Sequence, residues 1–319
     1  MNRSNEVGGY LELERSTGKA YYEDLIAVNS GRNALLYILK ARNVKKLYIP
    51  SFLCDSIYKL CEREGILYEF YAVDETLRPT FNKSLGADEW LYIVNFYGQL
   101  SNREIKSYQR RYRNIICDNV QAFFRRPVKS VDTVYSCRKF FGVPDGGYVS
   151  TNAQLTDSLP QDLSADRMTH ILGRFEHNGS DFYRDFQEND EKFYVLELRS
   201  MSPLTQNLLH AVDYKRIKRI RNRNFRYLHK ALGHKNKLKL QMPIGPYCYP
   251  FYCEDGAKIR KKLVQSRIYI PTLWPNVLEE GTALERTLAA NILPIPCDQR
   301  YSTTDIMHIL ENLKETGVV

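Results

Sequence analysis

Two residues of this chain have types and spacing suited to joint chemistry: Asp118 in "IICDNVQAFF" and Lys139 in "DTVYSCRKFFGVPDGGYVST", 21 positions later. Asp118 closes an apolar run that reads as a buried strand, and a carboxylate there is costly unless it has a cationic partner. It is either a helix cap or the partner of a protonated ring nitrogen in a bound cofactor. Lys139 follows a second strand-like run rather than sitting on an amphipathic surface, where most lysines are simply solvated. If Asp118 holds a pyridinium, an amine at a neighbouring strand end is the group that would form a Schiff base with the cofactor's aldehyde. The adjacent Arg138 adds positive charge that disfavours the ammonium form. Gln121 lies three residues beyond Asp118, Tyr135 and Ser136 precede the lysine, and Gly146 and Gly147 follow it.

A third cluster, Ser30, Gly31, Arg32 and Asn33 in "NSGRNALL", opens an apolar helix-like run. Serine and glycine before a helix serve as an ordinary cap. They also suit a phosphate, because the helix start offers unpaired N–H groups and a positive dipole end, and glycine admits close approach.

The elements that must position these clusters alternate. Helical spacing in 31–42 gives way to a short strand at 45–50, then helix-like 54–65, strands at 67–74 and 90–98, a charged helical segment, and strands in "NIICDN", "DTVYSC" and "GGYVST". Such alternation predicts an α/β layered domain with a mostly parallel sheet, whose ligands gather at the carboxyl ends of the strands. From about 152 to 198 the pattern dissolves into a polar segment. A long helix from Pro203 to Leu232 then leads into "KLKLQMP", "YCYPFYCE", a helix-like "GAKIRKKLVQS", a strand "IYIPTLW", and a closing helix capped by Ser302 or Thr303. The tail reads as a small α+β domain, so the expected division is 1–205 and 206–319.

Composition narrows the class. At 43% apolar and 26% charged residues, the chain is an ordinary globular protein. It has no apolar run of membrane-spanning length and no leader-like segment in "MNRSNEVGGYLELERS". The seven cysteines are odd in number and mostly sit in apolar stretches, the usage of a reducing, cytoplasmic setting, and their spacing suggests no metal site. The net charge of +9 is concentrated in 213–239. Apolar residues recur there at near-helical spacing, so the basic residues read as the solvated face of a helix rather than a nucleic-acid surface.

Taken together, these stretches resemble the DegT-type (StrS-like) pyridoxal-phosphate sugar aminotransferases, which have the aspartate-aminotransferase fold. "NSGRNALLYIL" is similar to the family's phosphate-binding helix start, and "LYIPSFLCDSI" to its Pro-Ser-Phe strand exit. "CDNVQAFF" is similar to its Asp-x-Ala-Gln segment, "YSCRKFFGVPDGGYV" to its Ser-x-x-Lys segment, and "RSMSPLTQNLL" to the opening of the helix that leads to the small domain. The resemblance implies a PLP-dependent transferase of fold type I, with a large α/β domain and a small C-terminal α+β domain. It implies that Lys139 holds pyridoxal 5'-phosphate and moves a proton, that Asp118 keeps the ring nitrogen protonated, and that Gln121 meets the ring hydroxyl while Val120 packs on one ring face. Gly31, Arg32, Asn33 and Ser136 would hold the phosphate. The implied reaction transfers an amino group, from glutamate, to a nucleotide-linked keto-sugar for surface polysaccharide, in a cytoplasmic homodimer with sites near the subunit interface.

The chain departs from the pattern in several places. Cys54 stands where an aromatic residue stacks on the ring, leaving Phe52 or Tyr97 as substitutes. Phe140 replaces the asparagine after the lysine, Phe124 a small residue, Leu198 the asparagine lent by a partner subunit, and Ser200 an arginine. The alternative reading is a non-catalytic or regulatory protein that keeps this fold.

Overall fold

The computed structural model describes residues 7–318. The first six residues of the stretch read above as lacking a leader lie outside them. Strands β1 (Ile26–Val28), β2 (Lys46–Pro50), β3 (Leu67–Tyr71), β4 (Glu89–Val94), β5 (Ile115–Asp118), β6 (Asp132–Ser136) and β7 (Gly147–Ser150) form one sheet in the order β1-β7-β6-β5-β4-β2-β3. The five strands from β3 to β6 in that order run parallel, and β7 is antiparallel to both of its neighbours.

Alternate side chains of these strands feed two cores. Leu47, Ile49, Tyr92 and Ile116 enter one, beneath helices α1 (Gly31–Ala41) and α2 (Ser56–Arg63); Tyr48, Leu91, Ile93 and Ile115 enter the other, beneath α3 (Asn102–Tyr112). Burial on both faces is why the strands read as continuous apolar runs. Parallel pairing brings the carboxyl ends to one edge: Pro50, Val94, Asp118 and Ser136, with Val28 of β1 and the start of β7 beside them. The register sets Val94 against Asp118, Ser136 against Gly147, and Gly147 against Val28.

The glycine pair makes that edge possible. Gly146 has φ +114°, and a Cβ on Gly147 would lie 2.5 Å from the carbonyl oxygen of Ser30 and 2.9 Å from that of Tyr135. Both obstacles are backbone held in place by the sheet and by α1. Gly147→Ala is therefore expected to destabilise the fold by about 3 kcal/mol, the upper range for forced overpacking. Urea unfolding checks this, and an unchanged midpoint would mean that the α1 start yields.

The segment 152–198, expected to lack pattern, contains α4 (Thr169–Glu176) and α5 (Tyr183–Lys192). Leu172, Phe175, Tyr183 and Phe186 of these helices are exposed, so no inward apolar stripe marks them in the sequence. The single helix expected from Pro203 to Leu232 is two, α6 (Pro203–His210) and α7 (Tyr214–Leu232). Asp213 starts the second by accepting the Arg216 N–H at 2.9 Å.

Strand β8 (Tyr249–Tyr252), helices α8 (Gly256–Gln265), α9 (Val277–Glu280) and α10 (Ala283–Asn291), strand β9 (Ile292–Ile295) and helix α11 (Thr303–Glu315) complete the chain. β8 pairs antiparallel with β9. "IYIPTLW", expected as a strand, is irregular: Pro271 has no N–H for a ladder, although Ile268 and Ile270 still enter the core that α7, α8 and α11 build on this small sheet. Ser302, one of the two expected caps, opens α11 in a capping box with Asp305. On α7, Phe225, Leu228 and Leu232 face that core while Lys215, Arg216, Arg219, Arg223 and Arg226 are exposed.

Candidate active site

Asp118 lies at the carboxyl end of β5 and is almost wholly buried. Its two oxygens have different partners. Oδ1 accepts the Val120 N–H at 2.7 Å, the turn-forming contact expected of a cap, and Oδ2 accepts the Tyr92 hydroxyl at 2.5 Å. Tyr92 is on β4, on the same sheet face and two residues back in register, close enough for a long side chain to reach. Burial pushes the Asp118 carboxyl above its ordinary range, opposed by the Tyr92 hydroxyl, the Val120 N–H and the charge of Lys139. No cationic side chain among the described residues forms an ion pair with it.

Lys139 follows β6 in a tight turn and is exposed. Its Nζ lies 5.8 Å from the ring centre of Tyr247, and among the described residues it makes no ion pair or hydrogen bond. The turn is fixed from below and behind. Phe140 packs with Phe123, Phe124 and Phe141 in an aromatic cluster. Its carbonyl accepts Arg221 Nη2 at 3.2 Å and Gln299 Nε2 at 2.7 Å. The two phenylalanines that depart from the resembled pattern, Phe124 and Phe140, thus belong to one packed floor. Arg138 turns away from the lysine, directing Nη1 and Nη2 onto Asp190 at 3.1 Å each.

At the start of α1, Ser30 Oγ accepts the Asn33 N–H at 3.0 Å, while the N–H groups of Gly31 and Arg32 precede the first intrahelical bond. A Cβ on Gly31 would lie 3.2 Å from Ser136 Cβ and 3.5 Å from Val120 Cγ1, so Gly31, Val120 and Ser136 meet in space. The side chains of Asn33 and Arg32 turn elsewhere. Asn33 Nδ2 donates to Asn29 Oδ1 at 2.7 Å and to the Glu197 carbonyl at 2.8 Å. Arg32 lies over the Tyr194 ring at 4.2 Å, with Nη2 3.9 Å from Asp190 Oδ2.

Gln121 is buried and accepts the Tyr97 N–H at 2.8 Å through Oε1, leaving its amide N–H groups without a protein acceptor among the described residues. Tyr97 is a buried non-glycine residue with φ 54° and ψ 17°, the kind of local strain that collects at functional sites. Phe52 is wholly buried against Phe96 and Trp274, so of the two substitutes considered for the ring-stacking position, Tyr97 is the one beside Gln121. Cys54 is half-buried at the exit of β2, its Sγ 3.5 Å from Asp55 Oδ1. Leu198 packs against the large core and Ser200 bonds the Pro160 carbonyl.

Tyr92, Tyr194, Asp190 and Tyr247 were not singled out in the sequence. Each reaches this edge from a distant stretch, and none carries a local spacing signal. No helix among the described residues is long and apolar enough to cross a membrane, and no group of three or more His, Cys, Asp or Glu among them could hold a metal.

No family model matches the sequence, and no curated protein sequence does. Solved structures match over nearly the whole chain. A DegT/DnrJ/EryC1/StrS aminotransferase from Brucella abortus aligns with a TM-score of 0.63 at 17% identity, covering 92% of this chain and 86% of its own. NtdA from Bacillus subtilis, solved with bound cofactor PMP, aligns at 0.66 and 15% identity, covering 93% and 73%. The sugar aminotransferase CalS13 from Micromonospora echinospora aligns at 0.61 and 15%, covering 91% and 87%. At these identities the likeness defines the fold. The chain has the α/β fold of these aminotransferases, with a mostly parallel central sheet flanked by helices.

Proposed function

We propose that this chain is a pyridoxal-phosphate-dependent aminotransferase that moves an amino group onto a keto-sugar. The observation that carries the reading is the pairing of Asp118, a buried carboxylate with no ion-paired cation, with the exposed and unpaired amine of Lys139 at the same sheet edge. These residues fit the cofactor. A cationic ring nitrogen would supply the ion-pair partner that Asp118 lacks among the described residues, and the α1 start with the Ser136 hydroxyl suits a phosphate. When bound, pyridoxal phosphate supplies an aldehyde for the amine and a ring that delocalises the electron pair left on the substrate carbon.

In this proposal Lys139 holds the cofactor and then carries the proton between two carbons as general base and acid. Asp118 fixes the ring nitrogen in its charged form, held in orientation by Tyr92. Gln121 directs an amide N–H at the ring hydroxyl, Val120 covers one face, and Gly31 and Ser136 seat the phosphate. Asn33 acts as a positioning residue that ties α1 to 196–197, while Arg32 adds charge at the rim. Tyr247 borders the lysine amine at 5.8 Å, and Tyr97, beside Gln121, is the residue to stack on the ring. We assign residues 1–205 to the cofactor-binding domain and 206–319 to the small domain. A nucleotide-linked sugar for surface polysaccharide, glutamate as donor and a homodimer with sites near its interface complete the proposal, supported by the resemblance of the sequence motifs.

The test is the visible absorption spectrum of the purified protein with pyridoxal phosphate, before and after borohydride, with the labelled peptide mapped by mass spectrometry. A band that borohydride fixes onto Lys139 is expected. No band and an unmodified lysine would remove the catalytic reading and leave the non-catalytic alternative.

A further inference from the structure

Beside the Gly31–Ser136 edge, α5 brings Asp190 onto Arg32 and onto Arg138, a residue the proposed reaction does not use. Asp190 of α5 receives both terminal nitrogens of Arg138 at 3.1 Å, lies 3.9 Å from Arg32 Nη2, and accepts Arg32 Nη1 through its carbonyl at 3.4 Å. Two guanidinium groups therefore share one carboxylate, next to the α1 start and two residues from Ser136. Across the ring of Phe193 a third arginine, Arg167, is paired with Asp162 through Nη2, but its Nε and Nη1 are buried without a partner. Positive charge exceeds its direct counterions in this part of the site.

The holders are better fixed than the group they hold. The side chains of Arg32 and Arg138 are 15% and 17% exposed and stack on Tyr194 and Phe193, whereas that of Asp190 is 44% exposed. Asp190 belongs to a helix that packs chiefly on α4, itself lined with exposed apolar side chains. Planar guanidinium forks match phosphate and carboxylate oxygens equally well.

We infer that Arg32 and Arg138 form an oxyanion seat at the rim of the Gly31–Ser136 cradle, and that Asp190 is its built-in occupant, displaced when an anionic ligand binds. Asp190 and the ligand then compete for the two guanidinium groups. The inference rests on the proposed function for the identity of the ligand, since the seat's oxyanion is either the cofactor phosphate or the carboxylate of the amino donor.

The experiment compares wild type with Asp190→Asn and Arg138→Gln. It measures affinity for inorganic phosphate by calorimetry, for pyridoxal phosphate and for pyridoxal by absorbance, and for glutamate in the cofactor-loaded protein. Asp190→Asn is expected to tighten phosphate binding about tenfold, within the usual range of coupling between competing or cooperating ligands, and Arg138→Gln to weaken it. Tightening of pyridoxal phosphate without pyridoxal assigns the seat to the cofactor, and tightening confined to glutamate assigns it to the donor. No tightening for any anion, in a variant whose circular dichroism matches wild type, overturns the inference and makes Asp190 a structural clamp. If Asp190→Asn does not fold, unchanged anion affinity in Arg138→Gln overturns it equally. Absent borohydride capture at Lys139 together with intact phosphate coupling would sink the proposed function and leave the seat standing.

Discussion

Lys139→Ala is expected to abolish borohydride capture of pyridoxal phosphate and to lower the rate of amino transfer by roughly four orders of magnitude, the upper range for a positioned proton-transfer group. The fold is expected to survive, because Lys139 is exposed and makes no ion pair or hydrogen bond among the described residues, its amine lying 5.8 Å from the Tyr247 ring centre. Near-wild-type melting and far-ultraviolet circular dichroism would show that the loss is chemical. Non-covalent cofactor binding is expected to persist, since Gly31, Ser136, Asp118 and Gln121 are untouched. A label that borohydride still fixes in the variant would place the reactive amine elsewhere.

Asp118→Asn is expected to behave oppositely with and without the cofactor. In the free protein, burial raises the Asp118 carboxyl above its ordinary range. A folded-state pKa above the unfolded value contributes stability below the unfolded pKa of about 4, and that contribution is lost as pH rises through the folded value. Neutral asparagine avoids this loss, so the cofactor-free variant is expected to melt no lower than wild type near neutral pH, with the difference shrinking in acid, where the wild-type carboxyl is itself neutral. With the cofactor bound, the ionised carboxylate faces a cationic ring nitrogen and the balance reverses. The variant is then expected to lose about 3 kcal/mol of transition-state stabilisation, a roughly hundredfold slower first half-reaction in single-turnover kinetics. Full activity in Asp118→Asn would reduce the residue to the turn-former that its Oδ1 contact with Val120 already makes it.

The positions of Asp118 and Lys139 at strand ends were more legible in the sequence than their surroundings, for a physical reason. Asp118 and Lys139 follow strands buried on both faces, and such strands advertise themselves as unbroken apolar runs. Their ends, and hence the site edge, could be read directly. The partners were not legible. Tyr92 reaches Asp118 through sheet register, Asp190 reaches Arg138 through the path of α5, and Tyr247 reaches Lys139 from the far part of the chain. α5 itself was missed because its only buried residue is Asn189, which leaves no periodic stripe. Arg221 shows the limit of charge patterning: it sits in the basic run of α7, yet it is 2% exposed and bonds the carbonyls of Pro246 and Phe140. The break between α6 and α7 was hidden because Asp213 is a good cap inside a run of good helix formers.

The carbonyl of Phe140, one residue after the lysine, is gripped by Arg221 and Gln299, both from the C-terminal part of the chain. The turn that carries Lys139 is thereby tied to α7 and to the loop before α11. Any tilt of the α7 shaft toward or away from the sheet acts on the lysine turn as a lever with a one-residue arm.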